Sequence, residues 1–488
     1  MSKQLHIGII GGGPAGYVAA LYAAAEGARV TLVEEGGMGG TCLQRGCIPT
    51  KRLVTISHLL QKIQDAENYG IALDSAPVPD WKKMSAGVSE LVAGIEKGLD
   101  GLMANRKITV IQSTAKPIAS IKPIIELADG EHIQLDRMLI STGSSPHRPP
   151  SFPFNDDSVC TSDELWRWQD LPKSLIIVGE GVIACEFAFI FKSMGVDVTM
   201  LGMMDKPLPM MDKSISSTIC REMKKKKIHF KGGLPVTLIK QVENRWQANS
   251  NEVLLASAER VLVCTGRVPN TTGMSLEKNC IDCDERGAII VNKFMHTSMP
   301  NIYAAGDVTG GIMLAHAASA QARVAIAHML DIECHPYDVH CIPSAVFTTP
   351  EVAAIGLTEE QALDQAKKQG TEISIGSFDL RALGKAHAMG EISGNIKLIA
   401  EVGSRRLLGA HMVGANVTEM IHEAALVLTR QGTVDDITQT VHAHPTLSEA
   451  VFEAAEDVFG QACHKPLTRQ TTDQISDVST SKKSRSSC

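Results

Sequence analysis

Two cysteines five residues apart could carry redox chemistry, Cys42 and Cys47 in the segment GTCLQRGCIP. On an ideal helix, such a pair lies about 140° apart with a rise of about 7.5 Å. A disulfide requires Cα atoms within about 7 Å and converging Cβ atoms, so a bridge requires a distorted helical start, which Gly46 and Pro49 favour. A thiol at a helix N-terminus has its thiolate stabilised, as disulfide exchange requires. The spacing alone leaves two interpretations open, a redox pair or two unrelated buried cysteines.

The remaining cysteines show no comparable pattern. The chain has 12 cysteines, and they are scattered, which is typical of a reducing compartment. Cys280 and Cys283 form a C-x-x-C motif, but no second Cys or His pair accompanies it, so we predict a loop and no metal site. The first six residues lack the pattern of a secretory signal or a transit peptide. The sequence therefore predicts a cytoplasmic protein.

A glycine-rich turn near the N-terminus has the features of a dinucleotide site. Gly11, Gly13 and Gly16 fit G-x-G-x-x-G between a predicted strand over residues 7–10 and a predicted helix over residues 17–26. Such a turn brings backbone and a helix N-terminus close to a pyrophosphate. Glu34 ends the next predicted strand, where a carboxylate can bond ribose hydroxyls.

The same pattern of strand, glycine-rich turn, helix and strand recurs between residues 175 and 201. Gly179 and Gly181 open the second turn, and Ala184 replaces the third glycine. Gly202 stands at the usual acidic position, and no arginine follows that would hold a 2′-phosphate. The sequence therefore does not decide between NAD and NADP.

Size and charge limit the function classes. A chain of 488 residues predicts about three domains. The net charge of −7 argues against nucleic acid as the main partner. No apolar run of about 18 residues is present, so no membrane span is expected. After Cys341 the nucleotide turns stop, and mixed strands and helices predict a separate α+β domain.

Several segments, taken in order, resemble the pyridine nucleotide-disulfide oxidoreductases with a C-x₄-C centre. They are residues 39–51, 141–143, 264–270 and 304–307. Residues 441–449, VHAHPTLSE, are similar to the dihydrolipoamide dehydrogenase branch of that family. The resemblance extends from about residue 5 to residue 464. It implies an α/β fold with two Rossmann-like FAD/NAD(P)-binding domains and a C-terminal α+β dimerisation domain.

The resemblance assigns roles to the thiols and to an ion pair. Cys42 would be the interchange thiol that meets the substrate, and Cys47 would face the flavin as a thiolate. Lys51 would lie beside the flavin ring and pair with Glu186. Arg45, which departs from the family pattern, would add a cation that stabilises a thiolate.

The resemblance also supplies an acid/base pair. His444, reaching in from the other subunit of a homodimer, would be the general base, and Glu449 would hold its imidazole. Taken alone, His444 would be a surface histidine before a proline turn. His442 has no predicted partner and receives no role.

The remaining expectations concern cofactors and boundaries. FAD and NAD are expected, with NADP left open, and the predicted cofactor-binding residues are Gly11, Gly13, Gly16, Glu34, Thr41, Lys51, Thr142, Gly143, Gly179, Gly181, Glu186, Gly266, Gly306 and Asp307. The predicted domains are FAD-binding (1–146 and 271–340), NAD(P)-binding (147–270), interface (341–464) and a disordered tail (465–488). Lys224–Lys227 is interpreted as a solvated helix face.

The leading hypothesis is oxidation of protein-bound dihydrolipoamide with reduction of NAD⁺. The partner would be a lipoyl-bearing protein of a 2-oxoacid dehydrogenase or glycine cleavage complex. Alternatives are an NAD(P)H-dependent reductase of another disulfide, such as glutathione, and a non-enzymatic structural subunit of such a complex. A mercuric reductase is disfavoured, because the tail lacks a vicinal cysteine pair.

Overall fold

The computed structural model describes residues 4–154 and 157–466. Most of the predicted disordered tail, residues 467–488, lies outside the described residues. Lys465, where that tail was predicted to begin, is part of the fold, because its ammonium group contacts Asp457 and donates to the Ser377 carbonyl at 3.0 Å.

The described residues form strands and helices in alternation through most of the chain. The strands are β1 (His6–Ile10), β2 (Arg29–Glu34), β3 (Thr109–Gln112), β4 (Ala115–Ile118), β5 (Ile124–Leu127), β6 (His132–Gln134), β7 (Arg137–Ile140), β8 (Ser144–Pro146), β9 (Val159–Thr161), β10 (Ser174–Val178), β11 (Asp197–Leu201), β12 (His229–Lys231), β13 (Leu238–Val242), β14 (Arg245–Ser250), β15 (Val253–Ala258), β16 (Arg260–Val263), β17 (Arg267–Pro269), β18 (Ile302–Ala304), β19 (Ser344–Val346), β20 (Glu351–Gly356), β21 (Ile373–Asp379), β22 (Asn395–Glu401) and β23 (Leu407–Gly414). The helices are α1 (Pro14–Ala25), α2 (Gly40–Gln44), α3 (Cys47–Gln64), α4 (Trp81–Asn105), α5 (Val182–Ser193), α6 (Lys213–Lys225), α7 (Ala315–Met329), α8 (Glu359–Gln369), α9 (Gly384–Met389), α10 (Val417–Thr429), α11 (Val434–Thr438) and α12 (Glu449–Asp457).

The N-terminal sheet is parallel, in the order β18-β7-β1-β2-β3. Four of the five residues of β1 are buried, as expected for a strand covered on both faces. The small alanines of α1 allow that helix to pack closely against α7. The predicted strand–turn–helix–strand start is confirmed, and the predicted second strand coincides with β2.

A second parallel sheet has the order β12-β11-β10-β16-β9. A short antiparallel pair, β8 with β17, joins the two places where the chain passes between the sheets. The fold is therefore α/β with two Rossmann-like halves, as predicted. Two small antiparallel sheets, β4-β5-β6 and β13-β14-β15, add to them.

Within the described residues, the C-terminal unit consists of residues 208–225 and 340–466, and the other described residues form the second unit. Its antiparallel sheet has the order β19-β20-β23-β22-β21, and its core includes side chains from α10, α11 and α12. Residues 208–225 cluster with this unit, and within it the ammonium group of Lys397 lies 2.9 Å from the Asp212 carboxylate. Lys224 and Lys225 form the exposed last turn of α6, and Lys226 and Lys227 follow the helix.

Candidate active site

A break between two helices brings Cys42 and Cys47 together. Cys42 lies in α2, which ends at Gln44, and Cys47 is the first residue of α3. A side chain at Gly46 would place its Cβ 2.8 Å from the Thr41 carbonyl oxygen, so the sharp connection requires a glycine there. The distorted helical start predicted from the spacing is confirmed.

The two sulfurs share one hydrogen bond and differ in acidity. The Cys42 thiol donates to the Cys47 sulfur, and this hydrogen bond is the main reason why the pKa of Cys47 falls from 9.0 to about 7. Burial opposes the change, and the Lys51 ammonium group assists it. The same hydrogen bond, together with burial, raises the pKa of Cys42 well above its ordinary value. Cys47 is thus the sulfur that carries negative charge most readily.

Lys51 lies one turn further along α3 and forms an ion pair with Glu186 of α5. The ammonium nitrogen is 2.9 Å from both carboxylate oxygens. The Glu186 side chain is only 4% exposed, so its charge requires this partner. The ion pair that the resemblance implied is present.

Arg45 forms an ion pair with an acid that is distant in sequence. Its guanidinium Nε lies 3.0 Å from the Asp163 carboxylate, and its side chain is 51% exposed. The cation that lowers the pKa of Cys47 is Lys51. Asp163, distant in sequence, holds the guanidinium group, and an effect of Arg45 on the thiolate stays a prediction.

The first glycine-rich turn fits an FAD site. Glu34 accepts hydrogen bonds from the Gly12 and Gly36 amides at 2.5 and 2.8 Å. Gly13 is the N-cap of α1, and no side chain caps the amides of that first turn. These amides therefore remain suited to a pyrophosphate. A Cβ on Gly40 would lie 2.7 Å from the Gly13 Cα, so α2 passes directly against the turn.

Gly16 and Gly306 allow close packing around α1. A Cβ at Gly16 would lie 1.8 Å from the Gly11 carbonyl oxygen, and one at Gly306 would lie 3.2 Å from the Ala15 Cβ. The Gly306 amide donates to the buried Gln321 side chain at 2.7 Å. Gln321 was not singled out in the sequence, since it lies within the alanine-rich α7 and no motif marks it.

Asp307 is held by a hydrogen-bonded chain. The Ser144 hydroxyl lies 2.5 Å from the Asp307 carboxylate, and Arg267 Nε donates to the same hydroxyl at 2.7 Å. Neither Ser144 nor Arg267 was given a role in the sequence analysis, although Ser144 directly follows one recognised segment and Arg267 lies within another. Nearby, the Thr142 hydroxyl donates to the Asn270 carbonyl and the Asn270 amide returns a bond to the Thr142 carbonyl.

Four further glycines mark turns. Gly143 and Gly266 have φ of +73° and +108° on either side of the β8–β17 pair. Gly179 has φ of +127°, and a Cβ there would lie 2.3 Å from the Cys264 carbonyl oxygen. Gly181 is the N-cap of α5, which likewise lacks a side-chain cap. This second turn therefore has the local geometry of the first.

His444 and Glu449 form a hydrogen-bonded pair in the C-terminal unit. The His444 Nδ1 lies 2.8 Å from Glu449, and the imidazole is 79% exposed. Burial raises the pKa of Glu449, but bonds from His444 and the Thr446 amide outweigh it and lower that pKa below the ordinary value. Glu449 therefore carries its negative charge over the pH range in which it would stabilise a protonated His444 imidazole.

His442 has a partner, contrary to the prediction. Its Nε2 lies 2.8 Å from the Glu423 carboxylate, and its Nδ1 lies 2.9 Å from the Thr440 carbonyl. The ring is 8% exposed and packs near Phe452. This contact fixes the segment that leads into His444.

The described residues contain no group of three or more His, Cys, Asp or Glu side chains arranged to hold a metal ion. In the same part of the chain, no helix combines the length and the apolar character needed to cross a membrane.

Comparison with known proteins matches two consecutive parts of the chain to one family. Residues 5–322 match the pyridine nucleotide-disulphide oxidoreductase family, and residues 342–455 match its dimerisation domain. A dihydrolipoyl dehydrogenase of Bacillus subtilis (strain 168) is 36% identical over 94% of this chain and 99% of its own. Mitochondrial dihydrolipoyl dehydrogenase 1 of Arabidopsis thaliana is 33% identical over 95% of this chain and 92% of its own.

Solved structures show the same fold. LpdA from Mycobacterium tuberculosis aligns with a TM-score of 0.86 and 26% identity, covering 93% of this chain and 99% of its own. The HOCl-induced flavoprotein disulfide reductase RclA from Escherichia coli aligns with a TM-score of 0.82 and 28% identity, covering 92% and 99%. The predicted oxidoreductase acting on a sulfur group, with FAD and NAD, is confirmed, and the dimerisation domain supports a homodimer. The chain belongs to the pyridine nucleotide-disulphide oxidoreductase family.

Proposed function

We propose that this protein oxidises dihydrolipoamide, carried on a separate protein, to lipoamide and reduces NAD⁺. The observation that carries the proposal is the hydrogen-bonded sulfur pair of Cys42 and Cys47, in which one pKa is lowered and the other raised. Relatives named dihydrolipoyl dehydrogenase that match over nearly the whole chain support the choice of substrate.

The sulfur chemistry begins from the oxidised pair. A substrate thiolate attacks the Cys42 sulfur, so a substrate–Cys42 disulfide forms and the Cys42–Cys47 bond breaks. Cys47 leaves as a thiolate, which its lowered pKa favours. The second substrate thiolate then attacks the substrate sulfur bound to Cys42, closing the lipoamide disulfide and releasing Cys42. Two electrons have passed from substrate to enzyme.

The proton balance requires a base, and we assign that role to His444 of the partner subunit. Its Nδ1 faces Glu449 at 2.8 Å, so the tautomer that donates from Nδ1 leaves Nε2 as the accepting nitrogen. The exposed ring can take the proton of the first substrate thiol, release it to solvent, then take the proton of the second thiol and pass it to the departing Cys42 thiolate. Glu449 stabilises the imidazolium that results.

The residues around the first glycine-rich turn would hold FAD. The amides after Gly13 would meet its pyrophosphate, Glu34 its ribose, and Asp307 its ribityl chain. When bound, FAD would supply the two-electron acceptor between the thiol pair and the nicotinamide. Lys51 would place its charge beside the ring system, held there by Glu186.

The proposal extends to partners, location and domain limits. The partner would be the lipoyl-bearing protein of a 2-oxoacid dehydrogenase or glycine cleavage complex, and the location cytoplasmic. The boundaries 1–146, 147–270, 271–340 and 341–464 stay predictions.

Purified protein should produce NADH rapidly from dihydrolipoamide and NAD⁺, and should not oxidise NADPH with glutathione disulfide. Cys42→Ser should abolish the first reaction, whereas Cys280→Ser, at an exposed cysteine outside the pair, should leave it unchanged. Glutathione disulfide reduction with no turnover of dihydrolipoamide would refute the proposal.

A second test addresses Cys47 directly. Its thiolate should give a long-wavelength absorption band with the flavin in the two-electron-reduced enzyme, and Cys47→Ser should remove that band. Survival of the band in this variant would show that the role given to Cys47 is wrong.

A further inference from the structure

The two glycine-rich turns correspond residue by residue, with one exchange. In the first Rossmann-like half, Ile10 of β1 pairs with Val33 of β2. In the second half, Val178 of β10 pairs with Leu201 of β11 in the same parallel register. Two residues beyond Ile10 lies Gly12, and Glu34 directly follows Val33. The equivalent positions of the second half hold glutamate and glycine in the reverse order, Glu180 in the turn and Gly202 at the strand end.

In the first half, the carboxylate comes from the strand end and needs a glycine opposite it. The Gly12 amide donates to Glu34 Oε2 at 2.5 Å. A Cβ on Gly12 would lie 3.1 Å from that oxygen and 3.2 Å from the Glu34 Cγ. A side chain at position 12 would therefore collide with the group that bonds ribose.

In the second half, the carboxylate comes from the turn and the glycine lies at the strand end. The Met203 amide donates to Glu180 Oε2 at 3.2 Å. A Cβ on Gly202 would lie 3.0 Å from the Glu180 Cβ and 3.1 Å from Glu180 Oε2. The Glu180 carboxylate thus fills the space that a side chain at residue 202 would enter, at the carboxyl end of β11.

The surroundings of Glu180 suit a neutral ribose. Residues 202–207 read Gly-Met-Met-Asp-Lys-Pro, in which one acid and one base cancel and no arginine is present. The uncapped N-terminus of α5 begins directly after Gly181. A cofactor whose pyrophosphate binds there would bring its adenosine ribose toward the end of β11.

We propose that Glu180 is the residue that selects NAD over NADP in this protein. Its carboxylate accepts hydrogen bonds from the ribose hydroxyls of NAD and repels the 2′-phosphate of NADP, which carries nearly two negative charges at pH 7. This inference rests on nicotinamide binding at the second turn, as in the proposed function, but not on which disulfide the enzyme uses. Glu180, in the turn that faces residue 202, supplies the carboxylate that residue 202 lacks.

The test measures anaerobic reduction of the bound flavin by NADH or NADPH in a stopped-flow instrument, without any disulfide substrate. The readout is the ratio of the apparent second-order rate constants for the two nucleotides. The holoenzyme should strongly prefer NADH. Glu180→Gln keeps the shape and removes the charge, so it should lower that ratio about 10- to 100-fold. Glu252→Gln, at an exposed acid in the same unit, should leave the ratio unchanged.

A reciprocal exchange provides the sharper control. Gly202→Glu alone should impair flavin reduction by either nucleotide, because its Cβ meets Glu180. The double variant Glu180→Gly/Gly202→Glu removes that obstacle and should restore the NADH preference, after a small shift of the Phe230 ring edge 3.0 Å from the new Cβ.

The outcomes separate this proposal from the preceding one. Equal use of both nucleotides by the holoenzyme, or an unchanged ratio in Glu180→Gln, would overturn the role of Glu180. An NADH preference that depends on Glu180, together with no turnover of dihydrolipoamide, would overturn only the proposed substrate.

Discussion

Removing the Cys42 sulfur should make Cys47 a weaker acid. The hydrogen bond from Cys42 is the largest cause that lowers the pKa of Cys47 from 9.0 to about 7. At pH 7 a thiol with that pKa is about half ionised, whereas one with a pKa of 9 is about 1% ionised. Cys47 is enclosed on one side and open to solvent on the other, and solvent screening reduces such effects. We therefore expect Cys42→Ala to move the ionisation midpoint upward by about one to two pH units.

The assay is a pH titration of the thiolate–flavin absorption band in the oxidised-flavin form of the variant. Cys42→Ser is the matched comparison, because a hydroxyl can still donate to the Cys47 sulfur. Its midpoint should lie below that of Cys42→Ala. Cys283→Ala, in an exposed loop, should reproduce the behaviour of the parent protein in its two-electron-reduced form.

One result would refute the reasoning. If Cys42→Ala titrated near pH 7, the hydrogen bond between the sulfurs would not be the cause of the lowered pKa. Lys51→Met in the same background would then show whether the ammonium group beside the pair is the dominant cause.

Four further predictions concern the C-terminal unit. His444→Gln should lower turnover of dihydrolipoamide by about 10²- to 10⁴-fold, with a smaller loss in Glu449→Gln, and an unaffected rate in steady-state assays would exclude a general-base role. His442→Asn, which breaks the contact with Glu423, should lower kcat about tenfold while leaving flavin reduction by NADH unchanged, and equal losses in both would argue against local positioning. Lys397→Met should reduce the free energy of unfolding in urea by about 3 kcal/mol, because it leaves the 2%-exposed Asp212 carboxylate without its cation, and Lys397→Met/Asp212→Asn should recover most of the loss. Burial raises the pKa of Asp212, but hydrogen bonds from Ser214 and Lys397 outweigh it and hold that pKa well below the ordinary 3.8. The stabilising contribution of Asp212 is therefore present above about pH 4 and is lost as the pH falls further. Acid titration of the folded fraction in the parent protein and in Lys397→Met checks this sign.

The local part of the fold was predictable because its signals lie close together in the chain. A buried strand, a glycine turn and an alanine-rich helix fix β1, α1 and β2 within about 30 residues, and the same pattern fixes β10, α5 and β11. The break between α2 and α3 could also be predicted, since a sulfur bridge across five residues cannot form on a regular helix.

Pairings between distant residues could not be predicted in this way. Arg45 and Asp163 are separated by more than 100 positions, and Glu423 reaches His442 from α10. The spacing of residues along the chain cannot predict such contacts, because they depend on how the sheets and helices pack. The ion pair of Lys51 with Glu186 was expected only through the resemblance to a family.

The Glu180–Gly202 exchange shows why a sequence fingerprint can miss a site that the fold retains. The fingerprint assigns the ribose-binding acid to one chain position, the end of the second strand. The physical requirement is a carboxylate in one region of space, and the middle residue of the turn faces that region as closely as the strand end does. Either position can supply the group, provided that the other is glycine, because two side chains do not fit. A glutamate within a G-x-G turn, when it accompanies a glycine at the strand end, therefore predicts the same preference for NAD as the usual arrangement.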